Sequence, residues 1–132
     1  MKANELRIGN LVNCTNHKHI QFFEIEMFYG LSDFKPKLEH EDLTISFHTC
    51  KPIPLTEEWL LKFGFENNSF DNFCYLHFNP RMAIRFLNFN SAECEIIQDD
   101  KYISFKWKHI EYVHQLQNLY FALTGKDLSM YS

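Results

Sequence analysis

The sequence predicts an α+β fold, with a small N-terminal antiparallel β-sheet, a short helix, an antiparallel β-meander and a C-terminal helix packed on the sheet. Three observations predict it: β-prone stretches in the first fifty residues, a short helix with clear start and stop signals after Pro54, and apolar residues spaced three and four apart over 110–124. The 132 residues are the usual size of one domain, so we expect a single domain over 1–132. A subdivision into a β-rich part, 1–50, and a helix–meander–helix part, 55–128, is the alternative.

The first fifty residues predict strands and loops. The Gly9-Asn10 pair lies between apolar residues, a pattern that is typical of a turn and loosely resembles the first strand of an SH3-like barrel. The stretch 21–28 is β-prone, and over 43–48 apolar and polar residues alternate with the period of a half-buried strand. Between these strands, 30–42 is polar and charged and predicts a loop.

A short helix follows the two prolines of the Pro52-Ile53-Pro54 stretch. Thr56 is a favourable N-cap, and the two acidic residues after it lie where the helix dipole favours negative charge. Gly64 supplies the left-handed residue that ends the helix.

The next segment predicts a four-stranded meander with turns near Asn79-Pro80, at 88–91 and at Asp99-Asp100. Proline cannot adopt the positive φ of a tight hairpin turn, so we expect a longer loop at Pro80. If the two aspartates form a two-residue loop, apolar residues share one face and opposite charges pair on the other. This register places Ile96 opposite Ile103, Cys94 opposite Phe105 and Glu93 opposite Lys106.

The last helix is expected over 110–124, with Gly125 as its end and Leu128 packing back on it. Its predicted solvent-facing stripe consists of Glu111, His114, Gln115 and Asn118. A carboxylate beside a histidine can tune the histidine as a base, but no nucleophile or second acid accompanies this group. The solvated face of an amphipathic helix is therefore the preferred interpretation of Glu111, His114 and Asn118.

Charge and composition disfavour several function classes. Thirteen basic and seventeen acidic residues give a net charge of −4, whereas proteins that bind phosphate backbones usually carry a basic excess. No apolar run approaches the ~20 residues of a membrane span, and residues 1–7 lack the apolar segment of a signal peptide. We therefore expect a cytoplasmic protein with no membrane partner, no cofactor and no catalytic residues, since Gly-rich phosphate loops and hydrolase motifs are absent from the sequence.

Cys14, Cys50, Cys74 and Cys94 are widely spaced and form no C-x-x-C pair. In a reducing compartment they are expected to be small buried hydrophobic residues and not disulfides. A metal site is the alternative, because zinc is bound by Cys and His from two nearby segments. Its candidate ligands are Cys14, His17, His19, His48 and Cys50, although their spacing matches no standard zinc motif.

Three stretches carry a resemblance to known proteins: Ala3-Asn4-Glu5-Leu6-Arg7-Ile8-Gly9-Asn10, PIPLTEEWLLKFGF over 52–65, and YVHQLQNLYFALTG over 112–125. They resemble a family of short uncharacterised proteins carried by gut anaerobes, often in prophages and mobile elements. The resemblance implies a small intracellular accessory protein of phage origin. It carries no activity, cofactor or catalytic residue that could be transferred to this sequence.

A basic and aromatic strand is expected over 101–109, where lysines interleave with aromatic residues. Such strands hold single-stranded nucleic acid by stacking bases beside positive charges. The candidate residues are Arg81, Arg85, Lys101, Tyr102, Lys106 and Lys108. Because the apolar residues of this strand are expected on the core side and Lys106 already has a predicted acidic partner, nucleic-acid binding is the second hypothesis.

The aromatic content is high, with 14 Phe, 6 Tyr and 2 Trp in one small domain. Five of these aromatics lie in predicted loops or the tail: Tyr29, Phe34, Phe70, Phe89 and Tyr131. They either anchor a protein partner or fix long loops onto the sheet. The leading hypothesis is a non-enzymatic binding module for a protein partner or for a second copy of the chain.

Overall fold

The computed structural model describes residues 5–16, 19–38, 43–67, 73–87, 94–98, 103–107 and 110–130. Within these residues it contains two antiparallel five-stranded sheets and two α-helices, so the predicted α+β class is confirmed. The strands are β1 (Leu11–Asn16), β2 (His19–Tyr29), β3 (Asp33–Pro36), β4 (Ile45–Ser46), β5 (Cys50–Lys51), β6 (Glu66–Asn67), β7 (Phe73–Asn79), β8 (Met82–Leu87), β9 (Cys94–Gln98) and β10 (Ile103–Trp107). The helices are α1 (Glu57–Lys62) and α2 (Val113–Thr124), and a 3-10 helix covers Phe47–Thr49.

The chain divides into two compact units. The first contains Met1–Ile53 together with Val113–Leu119, and the second contains Pro54–Tyr112 together with Tyr120–Ser132. The first half of α2 therefore belongs to the unit that is built mainly from the first 53 residues.

The sheet of the first unit has the strand order β4-β3-β2-β1-β5. The loop predicted over 30–42 is wrong in part, because Asp33–Pro36 forms β3 and pairs with β2. Phe34 lies directly opposite Phe28. Phe34 and Pro36 are both buried, so every second residue of this short strand supplies its inward face. The strand predicted over 43–48 is shorter, since β4 has two residues and the 3-10 helix follows it.

The core of the first unit lies on the inner side of this sheet. Its buried members are Leu6, Val12, Cys14, Phe23, Ile25, Phe34, Ile45, Phe47 and Cys50. The rings of Phe34 and Phe47 stack with their centroids 4.9 Å apart. Aromatic packing of this kind adds to the free energy gained by burying apolar surface.

Helix α1 confirms the predicted start and stop signals. Thr56 Oγ1 accepts the backbone N–H of Trp59 at 3.4 Å, and Glu57 and Glu58 lie in the first turn. Gly64 has a φ of 91°. The N–H of the next residue, Phe65, donates to the carbonyl of Leu60 at 3.0 Å. The left-handed glycine thus allows the chain to fold back over the last turn of the helix.

The second sheet is a meander with the order β10-β9-β8-β7-β6. It has five strands where four were predicted, because Glu66–Asn67 pairs with β7. Its inward face includes Cys74, Ile84, Phe86 and Ile96, all buried, and Phe65 meets Phe86 edge to face at 5.6 Å.

The expected long loop at Pro80 is wrong. Only Pro80-Arg81 separates β7 from β8, and Asn79 Oδ1 accepts the N–H of Arg81 at 2.8 Å. A register shift between His77 and Asn79 accommodates the turn. A bulge combined with an Asn side-chain hydrogen bond removes the need for positive φ at the proline.

The predicted β9–β10 register is also wrong, by two residues. Phe105 lies opposite Ile96 and Lys106 opposite Glu95, so the connection comprises the four residues 99–102 instead of two. A shift of two residues leaves each residue on its expected face of the sheet, because side chains alternate with a period of two.

Helix α2 begins three residues later than predicted and ends where expected, with Gly125 at a φ of 72°. Leu128 is buried, as expected. No helix among the described residues has the length and apolar character needed to cross a membrane.

Candidate functional site

The first candidate site is an exposed apolar patch at the turn between β2 and β3, which we call the hairpin-tip patch. It consists of Met27, Tyr29 and Leu31, whose exposed fractions are 50%, 42% and 87%. Isolated exposed apolar side chains are ordinary, but three within five residues of one hairpin are a local concentration of the kind that marks interaction sites.

Strand geometry explains why these side chains face solvent. Phe28 packs against the core, with its ring centroid 5.9 Å from that of Phe47. Because neighbouring side chains alternate across a strand, Met27 and Tyr29 emerge on the opposite face. Gly30 follows with a φ of 69°, and it turns the chain so that Leu31 lies at the tip.

Two surface ion pairs join β2 to the chain on its β3 side, next to the hairpin-tip patch. Lys35 Nζ lies 3.8 Å from a carboxylate oxygen of Glu26, and Lys37 Nζ lies 3.5 Å from one of Glu24. All four side chains are 30% to 71% exposed, so the pairs contribute little to stability. Their charges offset each other, and the surroundings of the patch therefore carry no net charge from these four residues.

The aromatic residues of the predicted loops and tail differ in location and burial. Tyr29 is exposed at the end of β2, whereas Phe34 is buried in β3, so the expectation that these two residues lie in loops is wrong. Phe70, Phe89 and Tyr131 lie outside the described residues.

Among the basic residues proposed for nucleic-acid binding, Arg85 lies on β8 of the second sheet, opposite Glu95 on β9. Arg85 donates from Nε and from one terminal nitrogen to the same Glu95 oxygen, at 2.7 and 2.5 Å. The guanidinium carbon also lies 4.3 Å from the centroid of the Phe73 ring. Arg85 is thus compensated by a carboxylate and a ring face, which leaves little of its charge for a phosphate.

Two other members of that candidate set lie among the described residues. Arg81 is exposed in the β7–β8 turn, and Lys106 occupies the position opposite Glu95 on β10. The predicted Glu93–Lys106 pairing is replaced by this one, as the two-residue register shift requires. Lys101, Tyr102 and Lys108 lie outside the described residues.

The candidate metal ligands include one bonded pair. Cys14 and Cys50 lie directly opposite each other on β1 and β5, and their sulfur atoms form a disulfide. The expectation that these cysteines are not disulfide-bonded is therefore wrong, because the register brings two residues 36 positions apart in sequence into direct contact. A disulfide sulfur lacks the thiolate charge that zinc requires.

The histidines of that candidate set do not complete a site among the residues that can be described. His48 is exposed on the 3-10 helix, His17 lies outside the described residues, and the side chain of His19 does too. No group of three or more His, Cys, Asp or Glu side chains with metal-binding geometry is found in the described part of the chain.

The predicted solvent-facing stripe of the last helix is wrong at His114. This side chain is 2% exposed, and burial lowers the pKa of its imidazole below the ordinary value, an effect that the negative charge of Glu5 partly opposes. Glu111 is exposed but precedes α2, and Asn118 is half-buried. These three residues therefore do not form an exposed acid–base group.

A buried polar network was not anticipated from the sequence. Gln117 Oε1 accepts the N–H of Leu11 at 2.9 Å, while Gln117 Nε2 donates to the carbonyl of Gly9 at 3.1 Å. Asn10, fully buried, donates from its side-chain amide to Asn118 Oδ1 at 2.8 Å. Gln117 thus supplies hydrogen-bond partners for two backbone groups at the start of β1, and Asn118 supplies one for the buried side chain of Asn10.

The network joins two segments that are far apart in sequence, 9–11 and 117–118. The signal that could have revealed it is the presence of Gln117 at a position where the helical period requires an inward-facing residue. Comparisons with models of protein families, with curated proteins and with solved structures found no match.

Proposed function

We propose that this chain is a non-enzymatic accessory module that binds a protein partner or a second copy of itself through the hairpin-tip patch. The observation that carries the proposal is the exposure of Met27, Tyr29 and Leu31 on one short hairpin. Tyrosine is enriched among the residues that dominate binding energy, and methionine is common in interface cores.

The charge around the patch supports a protein partner. Interface cores are depleted of charged residues, and the nearby acidic and basic side chains of Glu26 and Lys35 are already paired at the rim. The hairpin is also anchored, since Phe28 and Phe34 on the same two strands contribute to the core. An anchored hairpin loses less conformational entropy on binding than a free loop does.

The resemblance in sequence extends this proposal to the biological setting, as a cytoplasmic accessory protein carried by a prophage or another mobile element. Disulfides are rare in the cytosol. A cytoplasmic role is therefore compatible with the Cys14–Cys50 bond only if that bond is reversible.

Nucleic-acid binding remains the second candidate, and it has less support. Its best-placed cation, Arg85, is engaged by Glu95, and the net charge of −4 opposes association with phosphate backbones.

The test compares the double substitution Tyr29→Ser/Leu31→Ser with Leu61→Ser. Leu61 is the control, because it is 49% exposed but belongs to α1 and not to the hairpin. Sedimentation velocity over a range of concentrations measures self-association. Affinity purification from the native host, followed by binding of the purified partner, measures a heterologous complex.

We expect the double variant to weaken the complex at least tenfold and Leu61→Ser to change it less than twofold. Equal weakening by both variants would contradict a specific patch. A wild-type chain that stays monomeric and binds no purified partner would contradict the proposed function itself.

A further inference from the structure

Cys14 and Cys50 occupy a distinctive place in the first sheet. β1 is flanked by β2 on one side and by β5 on the other, and Cys14 lies opposite Cys50 with Cα atoms 4.2 Å apart. This spacing is close to that of the narrow, non-hydrogen-bonded pair of an antiparallel ladder. The two side chains therefore meet on one face of the sheet.

The two cysteines differ in how strongly their surroundings hold them. Cys14 is in the middle of a six-residue strand and is 1% exposed. Cys50 is 4% exposed, but β5 has only two residues and forms the edge of the sheet. Thr49 and Lys51 on either side of it are exposed. A local opening of the short segment 49–51 is enough to bring Cys50 into solvent, whereas Cys14 stays within β1.

The surroundings also accommodate the reduced form. The carbonyl oxygen of Ser46 lies 3.5 Å from Cys50 Sγ, so a thiol at this position has an acceptor for its S–H. Thr49 Oγ1 lies 3.9 Å from the same sulfur. Both sulfurs belong to the apolar core cluster, where a thiol is as well accommodated as a disulfide.

We propose that Cys14 and Cys50 form a reversible thiol–disulfide site, in which oxidation fastens β5 to β1 and reduction releases the edge segment 49–51. The reductant is a dithiol. One of its thiolates attacks Cys50 Sγ, and Cys14 leaves as a thiolate and takes a proton from water. The second thiol of the reductant then loses its proton and attacks the mixed disulfide, which releases Cys50 as a thiolate that is protonated in turn. The protein gains two electrons and two protons, and the dithiol becomes a cyclic disulfide.

The first experiment measures the redox state of the full-length chain in dithiothreitol and in oxidised glutathione. Acid trapping, alkylation and peptide mass spectrometry distinguish Cys14 and Cys50 from the cysteines at 74 and 94. Amide hydrogen exchange is then compared between the two states. We expect reduction to accelerate exchange of the Thr49 to Lys51 amides at least tenfold, while amides of β8 are unchanged.

Single substitutions test which sulfur is attacked. In Cys14→Ser the remaining Cys50 is expected to react with oxidised glutathione at least tenfold faster than Cys14 does in Cys50→Ser. Cys50→Ser is also expected to show rapid exchange at 49 and 51 under both conditions. The proposal is overturned if the pair stays reduced in oxidised glutathione, if 10 mM dithiothreitol leaves it intact, or if reduction unfolds the whole chain. Equal reactivity of the two cysteines would also overturn it.

Discussion

Gln117 on α2 accepts the backbone N–H of Leu11 at 2.9 Å, although 106 residues separate the two in sequence. The same side chain donates to the carbonyl of Gly9. One side-chain amide therefore pairs with a backbone N–H and a backbone carbonyl, as a neighbouring strand would. Gln117 is buried, with 5% of its surface exposed.

Gln117→Leu is therefore expected to destabilise the protein by about 3 kcal/mol, because a buried N–H and a carbonyl lose their partners together. Chemical unfolding followed by circular dichroism measures the change. A loss below about 1 kcal/mol would mean that the segment before β1 finds other partners.

His114 predicts a pH dependence of stability. Burial lowers the pKa of the folded side chain below 6.5, with Glu5 opposing the effect, whereas the unfolded side chain keeps its ordinary value. Below pH 6.5 the unfolded chain therefore binds protons more readily, and stability falls as the pH decreases until the folded pKa is reached.

Unfolding free energies measured between pH 7.5 and 5.5 should decrease with a slope of at most about 1.4 kcal/mol per pH unit from this group. His114→Leu should remove that part of the slope, and His48→Gln, at an exposed histidine, should retain it. The idea fails if the two variants give the same profile.

Truncation of Phe34 is expected to lower the free energy of unfolding much more than truncation of Tyr29. Phe34 is fully buried and stacked on Phe47, so Phe34→Ala should cost about 3–5 kcal/mol. Tyr29→Ala removes a side chain that is 42% exposed, and we expect a cost of less than about 1 kcal/mol. Thermal unfolding of both variants beside the wild type measures the difference, and similar costs would contradict the assignment of Phe34 to the core.

Arg85 and Glu95 should be energetically coupled. Their side chains are 23% and 16% exposed, so solvent screens them less than it screens a typical surface pair. A double-mutant cycle with Arg85→Ala and Glu95→Ala is expected to give a coupling of about 1–2 kcal/mol. The cycle for Lys62 and Glu58, 3.5 Å apart and more exposed, serves as the reference and should give about 0.3–0.5 kcal/mol. Additive effects at Arg85 and Glu95 would contradict the pairing.

The elements that could be predicted from the sequence are those whose signals are local. Thr56 and Gly64 define α1 because a cap and a left-handed glycine act within one or two turns. The hydrophobic period of α2 is equally local. The face of each residue on β9 and β10 was predictable because it depends only on parity, but the register was not, because it depends on the length of a loop.

The features that could not be predicted depend on distant partners. β3 lies in a largely polar segment, and it becomes a strand because Phe34 and Pro36 are buried against residues that are distant in sequence. His114 has the composition of a solvent-facing residue, and only the placement of α2 with the first unit buries it. The Cys14–Cys50 contact likewise requires β5 to return to β1.

The tie between Gln117 and the Gly9–Leu11 segment has a consequence for biosynthesis. The ribosome makes Gly9 108 residues before Gln117, so the amide that completes the start of β1 emerges only after all ten described strands have been translated. Contacts of such long sequence separation slow folding. We therefore expect nascent chains that stop short of residue 113 to lack the hydrogen bonds that complete the start of β1, and to be open to proteolysis in the first sheet.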